Sequence, residues 1–151
     1  MEKFNSIDEI LDFAIDQEQE AIDFYSELAN NAKSEEMKKI YLEFVEEEMG
    51  HKTKLLNIKA TKNFEVSNEK VTDLKVSDYL VAEKATPDMS YQDALIIVMK
   101  KEKAAFKLYN ALAKMAPNEE LKNIFQMLAI EEAKHKLQFE SDYDEYILKD
   151  N

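Results

Sequence analysis

The chain carries one pattern twice. Shifted by 84 residues, EQEAIDFYSELA (18–29) falls on EKAAFKLYNALA (102–113), and SEEMKKIYLEFVEEEMGHK (34–52) falls on NEELKNIFQMLAIEEAKHK (118–136). Without a gap, 14 of the 35 positions from 18 to 52 are identical to their partners, too many for two unrelated segments of similar composition. Whatever the first half folds into, the second must fold into as well. One glycine and two prolines leave little turn chemistry for β-hairpins, and helix-forming Ala, Leu, Glu and Lys dominate. Ser6 with Glu9 and Ser90 with Asp93 form capping-box patterns, and breaks fall at 30–34, where Ser34 is the cap candidate, and at Pro117–Asn118. The spacing predicts helices over 7–31, 35–59, 91–115 and 118–147. Residues 60–90 form a long connection, in which VSDYLVAEKA (76–85) is expected to hold one short helix. A loop that long counts against a compact domain unless it carries the chain along a bundle. The expected architecture is a single domain over 1–151: an all-α four-helix bundle of two repeated helical hairpins joined by a long crossover.

Alternating steps of three and four residues trace the face each helix buries. The first helix gives Leu11, Ala14, Glu18, Ala21, Tyr25 and Leu28, and the third gives Leu95, Val98, Glu102, Ala105, Tyr109 and Leu112. The second gives Tyr41, Phe44, Glu48, His51, Leu55 and Ile58, and the fourth gives Phe125, Leu128, Glu132, His135 and Phe139. Four glutamates and both histidines of the chain therefore sit on core faces at similar depth.

A buried carboxylate is costly unless it is neutralised, paired or metal-bound. Two carboxylates about 4 Å apart repel by roughly 4 kcal/mol at an effective dielectric near 20. A repeat that binds no metal, its polar core satisfied by lysine or water, is the rival reading; no Lys or Arg lies on these faces near the six residues, which counts against it and favours cations from solution. Two divalent ions balance four carboxylates, with both imidazoles bound in the neutral form. The i,i+3 spacing of Glu48/His51 and Glu132/His135 puts each pair on one side of its helix. This is the ligand pattern of carboxylate-bridged dimetal bundles.

At these residues the sequence resembles the rubrerythrin family of ferritin-like diiron proteins. The resemblance rests on E-x-x-A-x-x-[FL]-Y at Glu18–Tyr25 and Glu102–Tyr109, and on E-E-x-x-H at Glu47–His51 and Glu131–His135. It implies a ferritin-like four-helix bundle with metal ligands Glu18, Glu48, His51, Glu102, Glu132 and His135. Glu48 and Glu132 would bridge two metal ions; Glu18 and His51 would complete one, Glu102 and His135 the other. Tyr25 and Tyr109 would donate hydrogen bonds to ligand carboxylates in support of catalysis. The metals implied are iron, with manganese or zinc as alternatives. The implied activity is a non-haem oxidoreductase (a peroxidase) that reduces hydrogen peroxide, or O₂, with electrons from a separate donor protein, in a homodimer. Metal binding or sequestration without turnover is the alternative. Three features depart from the family. No cysteine is present for a rubredoxin-like module, and the extra glutamate that rubrerythrins place one turn after the third-helix ligand is Ala105. Met49 falls where the related bacterioferritins have a haem-ligating methionine, although gap-filling in a helical interface is its expected role here.

The remaining composition narrows the function classes. Without cysteine there is no disulfide, Cys-ligated iron–sulfur site or thiol nucleophile. With 32 acidic against 20 basic residues the net charge is −12, which argues against nucleic acid or an anionic membrane surface as a partner. The longest apolar run, Ala94 to Met99, is too short to span a bilayer. An acidic, amphipathic N-terminus does not read as a signal peptide, so a cytoplasmic chain is expected. Lys100, Lys101, Lys103 and Lys107 are expected to form a solvated face. Gly50 lies inside the second helix at about 1 kcal/mol against alanine. Close approach of another helix, of the crossover or of a second chain would account for it.

Overall fold

A computed structural model describes residues 3–84, 86 and 89–150. The helices are α1 (Ile7–Asn30), α2 (Glu35–Thr61), α3 (Asn68–Thr72), α4 (Tyr91–Met115) and α5 (Glu119–Asp150), with one 3-10 turn at Val76–Asp78. Among the described residues there is no strand; an isolated antiparallel bridge joins Lys3 to Lys75. No described helix is long and apolar enough to cross a membrane.

Side-chain caps start the four long helices. Ser6 Oγ accepts from the Glu9 N–H, Ser34 Oγ from Met37, Ser90 Oγ from Asp93, and Asn118 Oδ1 from Leu121, at 2.9–3.2 Å. Each satisfies one of the orphan donors of a first turn. Glu9 completes its box one residue early: its Oε2 accepts from the Asn5 N–H. At the other end of α2, Lys62 takes φ 53°, a left-handed conformation that costs a side-chain-bearing residue about 1–2 kcal/mol. Lys62→Gly is expected to raise stability by about 1 kcal/mol, read as a higher midpoint in urea unfolding.

The chain divides into two compact units between Val71 and Thr72, inside the crossover. In the first, Phe4–Val71, α1 and α2 form a hairpin that buries Leu11, Ala14 and Tyr25 against Tyr41, Leu55 and Ile58. Phe4 closes one end, its ring 5.5 Å from that of Phe13. Phe64 and Val71, beyond α2, are buried as well. The second unit runs from Thr72 onward and takes in Lys3. There α4 and α5 form the other hairpin, with Leu95, Val98, Tyr109 and Leu112 buried along α4 and Phe125, Leu128 and Phe139 along α5. The Tyr91 and Tyr146 rings meet at 5.5 Å and Gln92 donates to the Tyr143 hydroxyl near the end of α5, which runs to Asp150, past the expected end at 147.

Three expectations need correction. The segment 76–85 holds only the 3-10 turn among its described residues, while the α-helical turn of the crossover comes earlier, at α3. So few residues cannot sustain a helix by propensity; burial of Val71 at the end of α3 and of Tyr79 just after the 3-10 turn fixes these turns. That burial also pushes the Tyr79 phenol above its ordinary pKa, with Asp78 adding to the shift. On the core faces, Ala21, Leu28, Phe44 and Ala105 are half-buried rather than buried. Gly50 is exposed, and a Cβ built there would meet nothing within 4 Å among the described residues, so packing within its own hairpin does not explain the glycine.

On α4, Lys100, Lys103 and Lys107 are exposed and Lys101 is half-buried. Lys100 pairs with Glu83, whose carboxyl is held below the usual range by a backbone hydrogen bond and then by the Lys100 ammonium. Both groups are well exposed, so the pair adds little stability.

Candidate metal centre

In the first hairpin, Glu18 lies in the middle of α1, and Glu48 and His51 lie one turn apart on α2. His51 Nδ1 is 3.6 Å from Glu18 Oε2 and 3.4 Å from Glu48 Oε1. One ligand atom from each of the three lies within 4.8 Å of the others. The second hairpin repeats the arrangement. His135 Nδ1 is 3.9 Å from Glu102 Oε2, and Glu132 supplies a further ligand atom within 4.8 Å of both. All six side chains are buried, with residue exposures of 1–3%. The structure thus places each sequence-predicted metal ligand in a buried Glu/Glu/His group of its own hairpin.

The spacing suits a metal ion. At 3.4–3.9 Å these pairs are longer than an N–H···O hydrogen bond. Two ligand atoms each about 2.1 Å from one ion, about 110° apart, would stand about 3.4 Å from each other. Carboxylate oxygen with imidazole nitrogen is the donor set of iron, manganese and zinc, and excludes none of the three. Two such groups, one per hairpin, provide donors for a pair of metal ions.

Tyr25 and Tyr109 are buried two helical turns beyond Glu18 and Glu102. The Tyr25 ring packs edge-on against Phe24 and Phe44, with centroids 6.1 and 5.9 Å away, and Tyr109 packs on Phe125 at 6.2 Å. Sequence reasoning missed a polar tie beside the first group: Lys52 Nζ donates to Gln19 Oε1 at 2.6 Å, linking the neighbours of His51 and Glu18 across α2 and α1. The repeat held the signal. Position 19 corresponds to Lys103, which cannot accept from a lysine, and Lys136 turns to Glu140 instead.

The model of the family described as rubrerythrin matches residues 9–143. The chain belongs to the rubrerythrin family. Its fold class is accordingly all-α and ferritin-like, built from the two repeated hairpins and the crossover. The rubrerythrin match extends across the crossover, which the sequence motifs left unassigned. No curated protein and no solved structure matches the chain significantly.

Proposed function

We propose that this rubrerythrin holds a pair of iron ions and reduces hydrogen peroxide with electrons from a separate donor protein. The observation that carries the reading is the pair of buried Glu/Glu/His groups, repeated in the two hairpins of a chain that belongs to this family. Glu18 and His51 would hold one ion, Glu102 and His135 the other, with Glu48 and Glu132 shared between them. Bound iron would supply the electrons, one from each ferrous ion, so that one peroxide and two protons become two waters.

The protein's own contribution is positional and electrostatic. Helical backbone on either side fixes the carboxylates, burial keeps bulk water from them, and the shared glutamates offset the metal charge. The Tyr25 and Tyr109 hydroxyls would donate to ligand carboxylates and set their orientation. Tyr25→Phe keeps the ring packing, so it is expected to cost no more than about 1.5 kcal/mol of stability. Metal affinity should fall about 10- to 100-fold, measured by competition with a chelator. An unchanged affinity would leave Tyr25 a packing residue only. Because the chain has no cysteine, it offers no iron–sulfur or rubredoxin-type carrier, and the reading includes a separate donor.

Ala105 favours a second reading, metal binding without turnover, because the family's extra glutamate is absent there. The two separate in one experiment. The anaerobic ferrous protein is mixed with peroxide and with O₂ in a stopped-flow spectrometer. Rapid oxidation by peroxide that recurs after re-reduction supports the enzyme. No reaction with either oxidant refutes it and leaves metal binding.

A further inference from the structure

The two hairpins repeat the same candidate ligands but not their surroundings. In the first, Lys52 Nζ donates to Gln19 Oε1 at 2.6 Å, and Gln19 Nε2 donates in turn to Asp23 Oδ1 at 3.0 Å. Gln19 follows Glu18 and Lys52 follows His51, so the tie crosses from α2 to α1 beside the metal group. Both residues of the tie are half-buried. Asp23, one turn further along α1, fixes which way the Gln19 amide points and leaves its oxygen for the lysine. The equivalents of Gln19 and Asp23 are Lys103 and Lys107, whose side chains have no acceptor atom, and Lys136 bonds to Glu140 of its own helix. The histidine–glutamate pair that spans two helices is closer where the tie exists: 3.6 Å for His51 and Glu18 against 3.9 Å for His135 and Glu102.

The charge around the ligands differs in the same sense. Within seven residues of Glu18 on α1, the other charged side chains are Asp12, Asp16, Glu20 and Asp23. Within seven residues of Glu102 on α4, they are Lys100, Lys101, Lys103 and Lys107. The ligand-bearing stretches 41–58 of α2 and 125–142 of α5 are matched, each with three acids and two lysines besides its ligand glutamate. A dication in the first hairpin therefore has four acids beside it where one in the second has four lysines. Opposite charge nearby favours binding, though salt screens the exposed part of the effect.

We propose that the two halves of the dimetal centre are unequal: the half built from Glu18, Glu48 and His51 binds its ion first, and Lys52 is the positioning residue that makes it so. The tie holds α1 and α2 in register, so Glu18 and His51 stand in place before an ion arrives. In the second hairpin that ordering comes only with binding, and beside four lysines. Groups that orient metal ligands without touching the metal are worth about 10- to 100-fold in affinity, and the two halves should differ by that order. The inference rests on the dimetal reading and adds an order of loading to it.

Anaerobic titration of the metal-free full chain with ferrous ion, monitored by isothermal calorimetry, tests it. Wild type should take up two ions in two steps, about tenfold or more apart in affinity. Glu102→Ala keeps the first half and should hold its one ion about tenfold or more tighter than Glu18→Ala holds the other. Lys52→Met separates the tie from simple electrostatics. It removes a positive charge from beside the ion, which by itself would raise affinity, whereas loss of the tie should lower the first step about tenfold. Lys52→Arg keeps a donor and should retain most of that affinity. Gln19→Leu removes the acceptor without changing charge and should reproduce the fall, so a poorly folded Lys52→Met does not end the test. Two ions bound with equal affinity, a tighter ion in Glu18→Ala than in Glu102→Ala, or an undiminished first step in folded Lys52→Met or Gln19→Leu would overturn the proposal and leave the dimetal reading standing. Fewer than two ions bound by wild type would refute the dimetal reading itself, and the proposal with it.

Discussion

Glu48→Ala is expected to empty the metal centre, while Glu18→Ala is expected to leave about half the metal in place. The asymmetry follows from the proposed roles. A glutamate shared by two ions is a ligand to both, whereas Glu18 serves one. Loss of a group that merely orients a ligand costs about 10- to 100-fold in affinity, so loss of a shared ligand should exceed about 100-fold at both positions. The repeat doubles the test: Glu132→Ala should behave as Glu48→Ala does, and Glu102→Ala as Glu18→Ala. All four residues are buried. Alanine also removes a buried carboxylate, so the metal-free variants should remain folded, and circular dichroism checks that metal loss is not unfolding. Near-full metal content in both Glu48→Ala and Glu132→Ala would refute the shared role.

The second large effect is on stability. Four carboxylates and two imidazoles are gathered in the interior with residue exposures of 1–3%, and each hairpin brings its own three together. Without cations, repulsion among the carboxylates opposes this gathering. Bound metal removes that opposition and adds its own binding free energy to the folded state. An ion at a thousand times its dissociation constant stabilises by about 4 kcal/mol, so two add about 8 kcal/mol. For a chain of this size that is on the order of 20 °C in melting temperature. Differential scanning calorimetry with and without a chelator measures it. Equal melting temperatures would mean that the buried groups are satisfied without metal.

The site was legible in the sequence because two periodicities coincide there. Helical spacing put Glu18, Glu48, His51, Glu102, Glu132 and His135 on faces otherwise lined by aliphatic and aromatic residues, and the 84-residue repeat set the same pattern down twice. The starts of the long helices were legible for a local reason: Ser6, Ser34 and Ser90 cap through their own hydroxyls, within three residues. The crossover was not. Phe64, Val71 and Tyr79 are buried, yet nothing periodic surrounds them, and short turns are decided by packing rather than by propensity. The Lys52–Gln19 tie was hidden too, since both side chains look like solvated residues until α1 and α2 lie side by side.

The charge of −12 divides in a way composition alone could not show. Four of the 32 acidic residues belong to the two buried Glu/Glu/His groups, and the remainder is spread over the rest of the chain. Gly50 has also changed meaning. Among the described residues nothing would meet a Cβ there within 4 Å, so packing within its own hairpin is not the reason for the glycine.

The most direct test is anaerobic titration of metal-free protein with ferrous ion, counting bound iron per chain by mass spectrometry of the intact holoprotein. Two half-sites with shared glutamates predict saturation at two ions per chain. Saturation at one ion, or no binding at all, would contradict a dimetal centre.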